Sequence, residues 1–207
     1  MASSVKIIRH KLQDRIFHWV MAICIFTLII TGLFPIVGFE FDWVPIHWIA
    51  GVILTLIIFW HIFRSIFQQD LLSMWISFSE IKSIIKGIKS KTSIKSGKYS
   101  ILQKLMHNGV TLITLIAIFT GILLMIRIDT PFWERNPYLF SQSIWGWIYV
   151  LHGLSTLCFV SVIIIHIYFA LRPEKFFYTW SMLVGWISKK DFDNNHDDKL
   201  WSDREEI

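Results

Sequence analysis

The sequence predicts an all-α membrane protein, a bundle of four transmembrane helices. Two observations carry the prediction. The 207 residues are 54% hydrophobic and 16% aromatic with only 17% charged, and the mean hydropathy is +0.54, too apolar for an ordinary soluble domain. Four stretches, 16–37, 44–67, 102–128 and 144–171, supply the roughly 20 apolar residues needed to cross a ~30 Å hydrocarbon core. Little chain remains for anything else, so residues 1–207 read as a single transmembrane domain ending in a polar tail at 188–207.

The first span follows Lys6, Arg9, Lys11 and Arg15. It is too long for the apolar core of a cleaved signal peptide, and no small-residue cleavage site of the A-x-A kind follows it, so it reads as a membrane helix. After the second span, "LLSMWISFSEIKSIIKGIKS" sets Trp75, Phe78, Ile81, Ile85 and Ile88 at three- and four-residue spacing, with Lys82, Lys86 and Lys89 off that stripe. This predicts an amphipathic helix lying in the membrane interface between spans 2 and 3. A Ser/Lys/Gly linker, "SKTSIKSGKYS", leads into the third span. Between the third and fourth, "PFWERNPYLFSQSIWGW" is rich in aromatic residues and belongs at the opposite interface; Trp43, Trp48, Trp133, Trp145 and Trp147 read there as an aromatic belt or as part of a docking surface.

The net charge of +5 is not a nucleic-acid footprint, because the positive residues sort by membrane side. The four N-terminal ones, with Arg64, Lys82, Lys86, Lys89, Lys91, Lys95, Lys98 and Lys104, mark one face, whereas the loop "FEFDW" is acidic and "RIDTPFWERNPY" mixed. Both termini and the middle connection are therefore expected in the cytoplasm. Cys24 and Cys158 fall inside spans, where packing is their expected role, and no C-x-x-C-H motif is present. Covalent haem and iron–sulfur clusters are not expected in this chain.

Internal repetition directs attention to histidine. His18 is followed fourteen residues later by Gly32 in a Thr-Gly pair, and His107 fourteen later by Gly121, again in Thr-Gly; the second and fourth spans each carry two histidines fourteen apart, His47 with His61 and His152 with His166. The spans thus read as two related helix pairs. Fourteen residues at 100° each fall about 40° short of four turns, so such a pair projects from nearly one face, roughly 21 Å apart along the axis. His47 and His152 then share the outer level, while His18, His61, His107 and His166 lie at the inner one.

Polar side chains in hydrocarbon are costly unless they face protein, water or a cofactor. Neutral imidazoles on facing helices at one depth suit axial ligation of haem iron, and Gly51 and Gly153, close to His47 and His152, leave room for a flat macrocycle. The two tiers predict two b-type haems. Zinc would ordinarily bring cysteine or carboxylate ligands, and a proton relay would mix in Asp or Glu, neither of which accompanies these histidines. On the repeat alone, His61 pairs with His166 at the inner tier.

"RHKLQDRIFHWVMAICIFTLIITG" resembles the first span of the membrane cytochrome b (gamma) subunit of respiratory formate dehydrogenases, in which an Asp-Arg pair precedes a His-Trp pair: here Asp14, Arg15, His18 and Trp19. "HWIAGVILTLIIFWHIFR", "GKYSILQKLMHNGVTLITLIAIFTG" and "HGLSTLCFVSVIIIHIYFA" are similar to its second, third and fourth spans, so the likeness covers most of the chain in order. Related cytochromes b serve nickel–iron hydrogenases. The resemblance implies an outer haem held by His47 and His152 and an inner haem held by His18 and His166, with His61 as the alternative inner ligand. It implies menaquinone or ubiquinone near the inner haem; there the family's Tyr-Asn-x-Gly-Gln-Lys reads Tyr99, Ser100, Ile101, Leu102, Gln103, Lys104, and Gln103 and His107 are the candidates for contacts to a quinone carbonyl. It further implies a bacterial inner-membrane subunit that passes electrons between quinone and an iron–sulfur or multihaem subunit, joined to a catalytic oxidoreductase subunit. The competing expectations are a stand-alone quinone-linked cytochrome b acting on a small oxidant or reductant, and a non-redox metal or proton transporter.

Overall fold

The computed structural model describes residues 5–68, 74–78, 81–82, 95–201 and 204–207. Its four long helices are α1 (Leu12–Leu33), α2 (Trp43–Phe67), α3 (Ile101–Met125) and α4 (Gln142–Ala170), each long and apolar enough to cross a membrane. At 1.5 Å per residue the shortest, with 22 residues, reaches about 33 Å. A helix is the form these segments must take in hydrocarbon, because it satisfies its own backbone hydrogen bonds.

Helix ends follow local chemistry, which is why they differ from the apolar runs. α1 begins four residues before the predicted span, since Leu12–Arg15 are helical although partly charged, and it stops at Leu33 because Pro35 follows. Ser100 caps α3: its hydroxyl accepts from the Gln103 N–H at 3.4 Å while the Gln103 side-chain oxygen accepts from the Ser100 N–H at 2.9 Å. That reciprocal pair is a capping box. Pro173 comes three residues after the end of α4.

The chain divides into two compact units. One comprises His18–Arg64 and Gly109–Ile164. Here all four long helices pack around Cys24, Ile25, Leu54 and Phe159, with Leu28, Ile57, Val110, Ala117 and Ile163 against them. Cys24 is buried in this core, and Cys158 is half-buried. Trp145 departs from the sequence expectation. It is 1% exposed, donates to the Pro137 carbonyl at 2.9 Å and lies under the Arg127 guanidinium, so it belongs to the interior rather than to an exposed docking face.

The other unit comprises Met1–Phe17, Ser65–Asn108 and Ile165–Ile207. Strand β1 (Lys6–Ile8) pairs antiparallel with β2 (Trp186–Ser188), and residues 205–207 hydrogen-bond along β1 as well. Helices α5 (Phe176–Val184) and α6 (Lys189–Asn195) flank β2. Gly185, between α5 and β2, has φ 94°, and a Cβ there would meet Arg15 Nη1 at 2.9 Å and the His10 carbonyl at 3.0 Å, so only glycine fits. Ile7, Ile187, Phe192 and Trp201 form the core of this unit. The described part of the polar tail, residues 188–201 and 204–207, is thus folded, with Phe192 and Trp201 as buried apolar anchors. The predicted interfacial helix, residues 71–90, lies for the most part outside the described residues; within it Trp75, Phe78 and Ile81 are exposed.

Candidate functional site

The outer histidines come together as their spacing requires. His47, in the second turn of α2, and His152, in α4, lie with ring centres 6.2 Å apart and planes inclined at 69°. Two imidazoles bound to one iron through metal–nitrogen bonds of ~2.0–2.1 Å have centres roughly 6 Å apart, so the separation fits axial ligation.

Each ring is held by a threonine from the preceding helix. Thr31 Oγ1 of α1 lies 2.8 Å from His47 Nδ1, and Thr120 Oγ1 of α3 lies 2.9 Å from His152 Nδ1. The donor inventory fixes the tautomer. Each hydroxyl has one proton and gives it to a carbonyl one turn back, that of Thr27 for Thr31 and of Ile116 for Thr120, both at 2.7 Å. Two oxygens that close need a proton between them, so toward the ring the hydroxyl accepts and Nδ1 carries the hydrogen. Nε2 of each ring is left with the lone pair that a metal ligand needs.

The glycine of each Thr-Gly pair abuts the same ring. A Cβ on Gly32 would sit 3.6 Å from His47 Cε1, and one on Gly121 would sit 3.3 Å from His152 Cε1. A Cβ on Gly153 would meet nothing within 4 Å, and one on Gly51 only Leu28 at 3.9 Å. The repeat read from the sequence is therefore realised in atoms: Thr31-Gly32 against His47, and Thr120-Gly121 against His152.

The remaining predicted residues distribute between the units. His18 opens the His18–Arg64 segment and packs edge-on against Trp19, and His61 lies near the end of α2 in the same unit. His166, His107 and Gln103 belong to the other unit, and Gln103 has its side-chain oxygen engaged in the cap of α3. Close by in that unit, the buried Lys104 donates to the Trp75 carbonyl at 3.1 Å.

Sequence reasoning missed a second histidine centre. Arg9, 1% exposed, donates to His196 Nε2 at 3.1 Å; Tyr178 donates to the same nitrogen at 3.2 Å; and Nδ1 donates to the Gly97 carbonyl at 2.7 Å. The guanidinium stacks 4.3 Å from the Tyr178 ring, with Tyr99 and Trp201 completing a cage. Burial, reinforced by the Arg9 charge, pushes the His196 pKa down to about 4. No spacing rule joins residues 9, 97, 178 and 196, so no local signal could have found the cluster.

Comparison with known proteins shows the family. The chain is 25% identical over 188 residues to the formate dehydrogenase cytochrome b556 subunit of Haemophilus influenzae, covering 82% of this chain and 73% of that one. A family model for prokaryotic cytochrome b561 matches residues 9–185, which include all four helices and both Thr-Gly/His pairs. This multi-pass membrane protein is a cytochrome b of electron transfer, and it belongs to the prokaryotic cytochrome b561 family, whose fold implies b-type haem.

Proposed function

We propose that this chain is the membrane subunit of a respiratory oxidoreductase, carrying electrons between a redox partner at the outer face and quinone near the cytoplasmic face. One observation carries the reading: His47 and His152 lie with ring centres 6.2 Å apart, each with Nδ1 hydrogen-bonded to a threonine hydroxyl. These two would hold the outer haem b. The inner haem b falls to His18 and His166, with His61 as the alternative to His18, and that pairing rests on the sequence resemblance. Bound haem supplies reversible one-electron transfer. The chain's residues hold and orient it and exclude water from it.

The name of the Haemophilus influenzae relative favours an assembly of the formate dehydrogenase type, with an iron–sulfur or multihaem electron-transfer subunit and a catalytic subunit. The excess of Lys and Arg in the N-terminal arm and the middle connection favours a bacterial inner-membrane protein with both termini in the cytoplasm. Gathering of the N-terminal arm, the middle connection and the tail into one unit accords with that orientation. Quinone, menaquinone or ubiquinone, would be bound on this side, where a quinone carbonyl needs donors. His107 can supply one, and Gln103 keeps its amide nitrogen for such a contact, its oxygen being held by Ser100.

The test is a reduced-minus-oxidised visible spectrum with haem quantitation on the wild type and on His→Ala variants at 18, 47, 61, 107, 152 and 166. Two haems per chain are expected in the wild type, one in the variants at 18, 47, 152 and 166, and two in those at 61 and 107. A colourless wild-type chain overturns the reading. Loss of a haem from His61→Ala, with both kept in His18→Ala, reverses the inner assignment. Copurification with partner subunits supports the assembly, and a lone chain that is active with quinone overturns it.

A further inference from the structure

We infer that Thr31 and Thr120 are positioning residues of the outer site, fixing the metal-binding nitrogen of His47 and His152 and setting how strongly it donates electrons. The inference rests on the haem reading above. Both threonines are nearly fully buried, at 3% and 2% exposure. Each completes a chain of three groups: the backbone carbonyl of Thr27 or Ile116 accepts the hydroxyl proton at 2.7 Å, and the hydroxyl oxygen, polarised by that bond, accepts Nδ1–H of the ring at 2.8 or 2.9 Å. An imidazole whose N–H is held by an acceptor is a stronger ligand through its other nitrogen and cannot turn about its Cβ–Cγ bond without breaking the bond.

Threonine hydroxyls satisfied by a carbonyl one turn back are ordinary in apolar helices, and Thr27, Thr55 and Thr114 of this chain are examples. Thr31 and Thr120 differ in their second bond, to a histidine on the next helix. That bond occurs once in each helix pair at the same place, beside the glycine that lets the ring approach. Two independent occurrences around a single ring pair point to a requirement of the site rather than to helix packing.

The experiment compares Thr31→Val, Thr120→Val and the double variant of the full haem-loaded chain with Thr31→Ser and Thr120→Ser, and with Thr114→Val as the control for loss of a buried hydroxyl. Valine keeps the shape and removes the acceptor. Redox titration of the outer haem, its low-spin electron paramagnetic resonance signal and its rate of release to an apo-globin acceptor are read. Weaker donation to iron favours the ferrous state, so each valine variant should raise the reduced-to-oxidised ratio at fixed potential by about three- to tenfold, tenfold being 59 mV for one electron. Haem affinity should fall by about 10–100-fold. Serine should restore both, and Thr114→Val should change neither. The inference is overturned if the double variant matches wild type in potential, signal and release, or if Thr114→Val shifts them as much. Should the valine variants fail to insert, the serine variants, which do keep the hydroxyl, are compared with Thr31→Ala and Thr120→Ala on the same readouts. His47→Ala and His152→Ala made in parallel separate the two claims: one haem lost from each, with the threonine variants silent, refutes only the threonine role, whereas both haems retained refutes the haem reading itself.

Discussion

His47 and His152 each give the protein one ring nitrogen, whereas His196 gives it both. His47 and His152 lie in apolar helices, whereas His196 lies in a polar stretch and is buried by tertiary contacts. In the outer pair Nδ1 of each ring donates to a threonine hydroxyl, and among the described residues no hydrogen bond engages Nε2. In His196 the Gly97 carbonyl takes Nδ1–H while Arg9 and Tyr178 donate to Nε2, so the ring is fully used in tying the N-terminal arm to the tail. The two kinds of histidine are told apart by what the second ring nitrogen meets.

The contrast breaks most sharply under paired deletions. His152→Ala is expected to remove one haem of two, an all-or-none loss seen in the pyridine haemochrome spectrum, while leaving the fold around β1 and β2 protected from protease. His196→Ala should do the reverse. It strands the buried Arg9 guanidinium, which among the described residues has no carboxylate within ion-pair distance, and it opens a cavity beside Phe192 and Trp201. The expected cost is about 3–5 kcal/mol, read as cleavage of the tail at lower temperature with haem content unchanged at permissive temperature. Haem loss from His196→Ala without a stability change would reverse the two roles.

The same distinction has a pH signature. The folded-state pKa of His196 is held at about 4, below the ordinary value of 6.5, first by burial and then by the Arg9 charge, with Lys175 adding to it. Between those values the unfolded ring takes up a proton that the folded ring refuses, so stability rises with pH. The full contribution is present above about pH 6.5, is lost progressively as pH falls toward 4, and changes no further below that. The span corresponds to about 3 kcal/mol. Thermal or proteolytic unfolding of the tail measured from pH 7.5 to 4.5 should show the loss, and His196→Gln should flatten it; an equal slope in that variant assigns the effect elsewhere.

How much of this was legible beforehand follows from the range of the interactions. The four helices were readable because hydrocarbon imposes length and composition on a contiguous stretch. The outer pair was readable because helical periodicity converts a spacing of fourteen into a shared face and two depths. The Ser100–Gln103 capping box came from the coordinates, since in sequence Gln103 reads only as a candidate for quinone. The threonine bonds needed coordinates, since Thr-Gly recurrence marks a position but not the neighbour it meets. The Arg9–His196 cage lay beyond reach altogether: its members are separated by up to 187 residues, and the tail that carries His196 is polar enough to read as peripheral. What escaped was tertiary burial of polar groups, which leaves no local pattern.

A finer comparison lies within the outer pair. The two Thr-Gly/His arrangements are alike in their hydrogen bonds, at 2.8 and 2.9 Å, but not in clearance. A methyl on Gly32 would come within ordinary contact of His47, at 3.6 Å, whereas a methyl on Gly121 would sit 3.3 Å from His152 Cε1, tighter than side-chain carbons ordinarily approach. Gly32→Ala should therefore be silent, with unchanged haem absorption and paramagnetic signal. Gly121→Ala should push the His152 ring by a few tenths of an ångström and strain its bond to Thr120. Because the ring is held from one side by a hydrogen bond and from the other by its own helix, it yields by tilting. A tilted axial imidazole alters the ferric low-spin signal before it costs haem. The expected result is a shifted signal with full haem content in Gly121→Ala alone; equal shifts in both alanine variants would mean that the two helix pairs grip their histidines with the same tolerance.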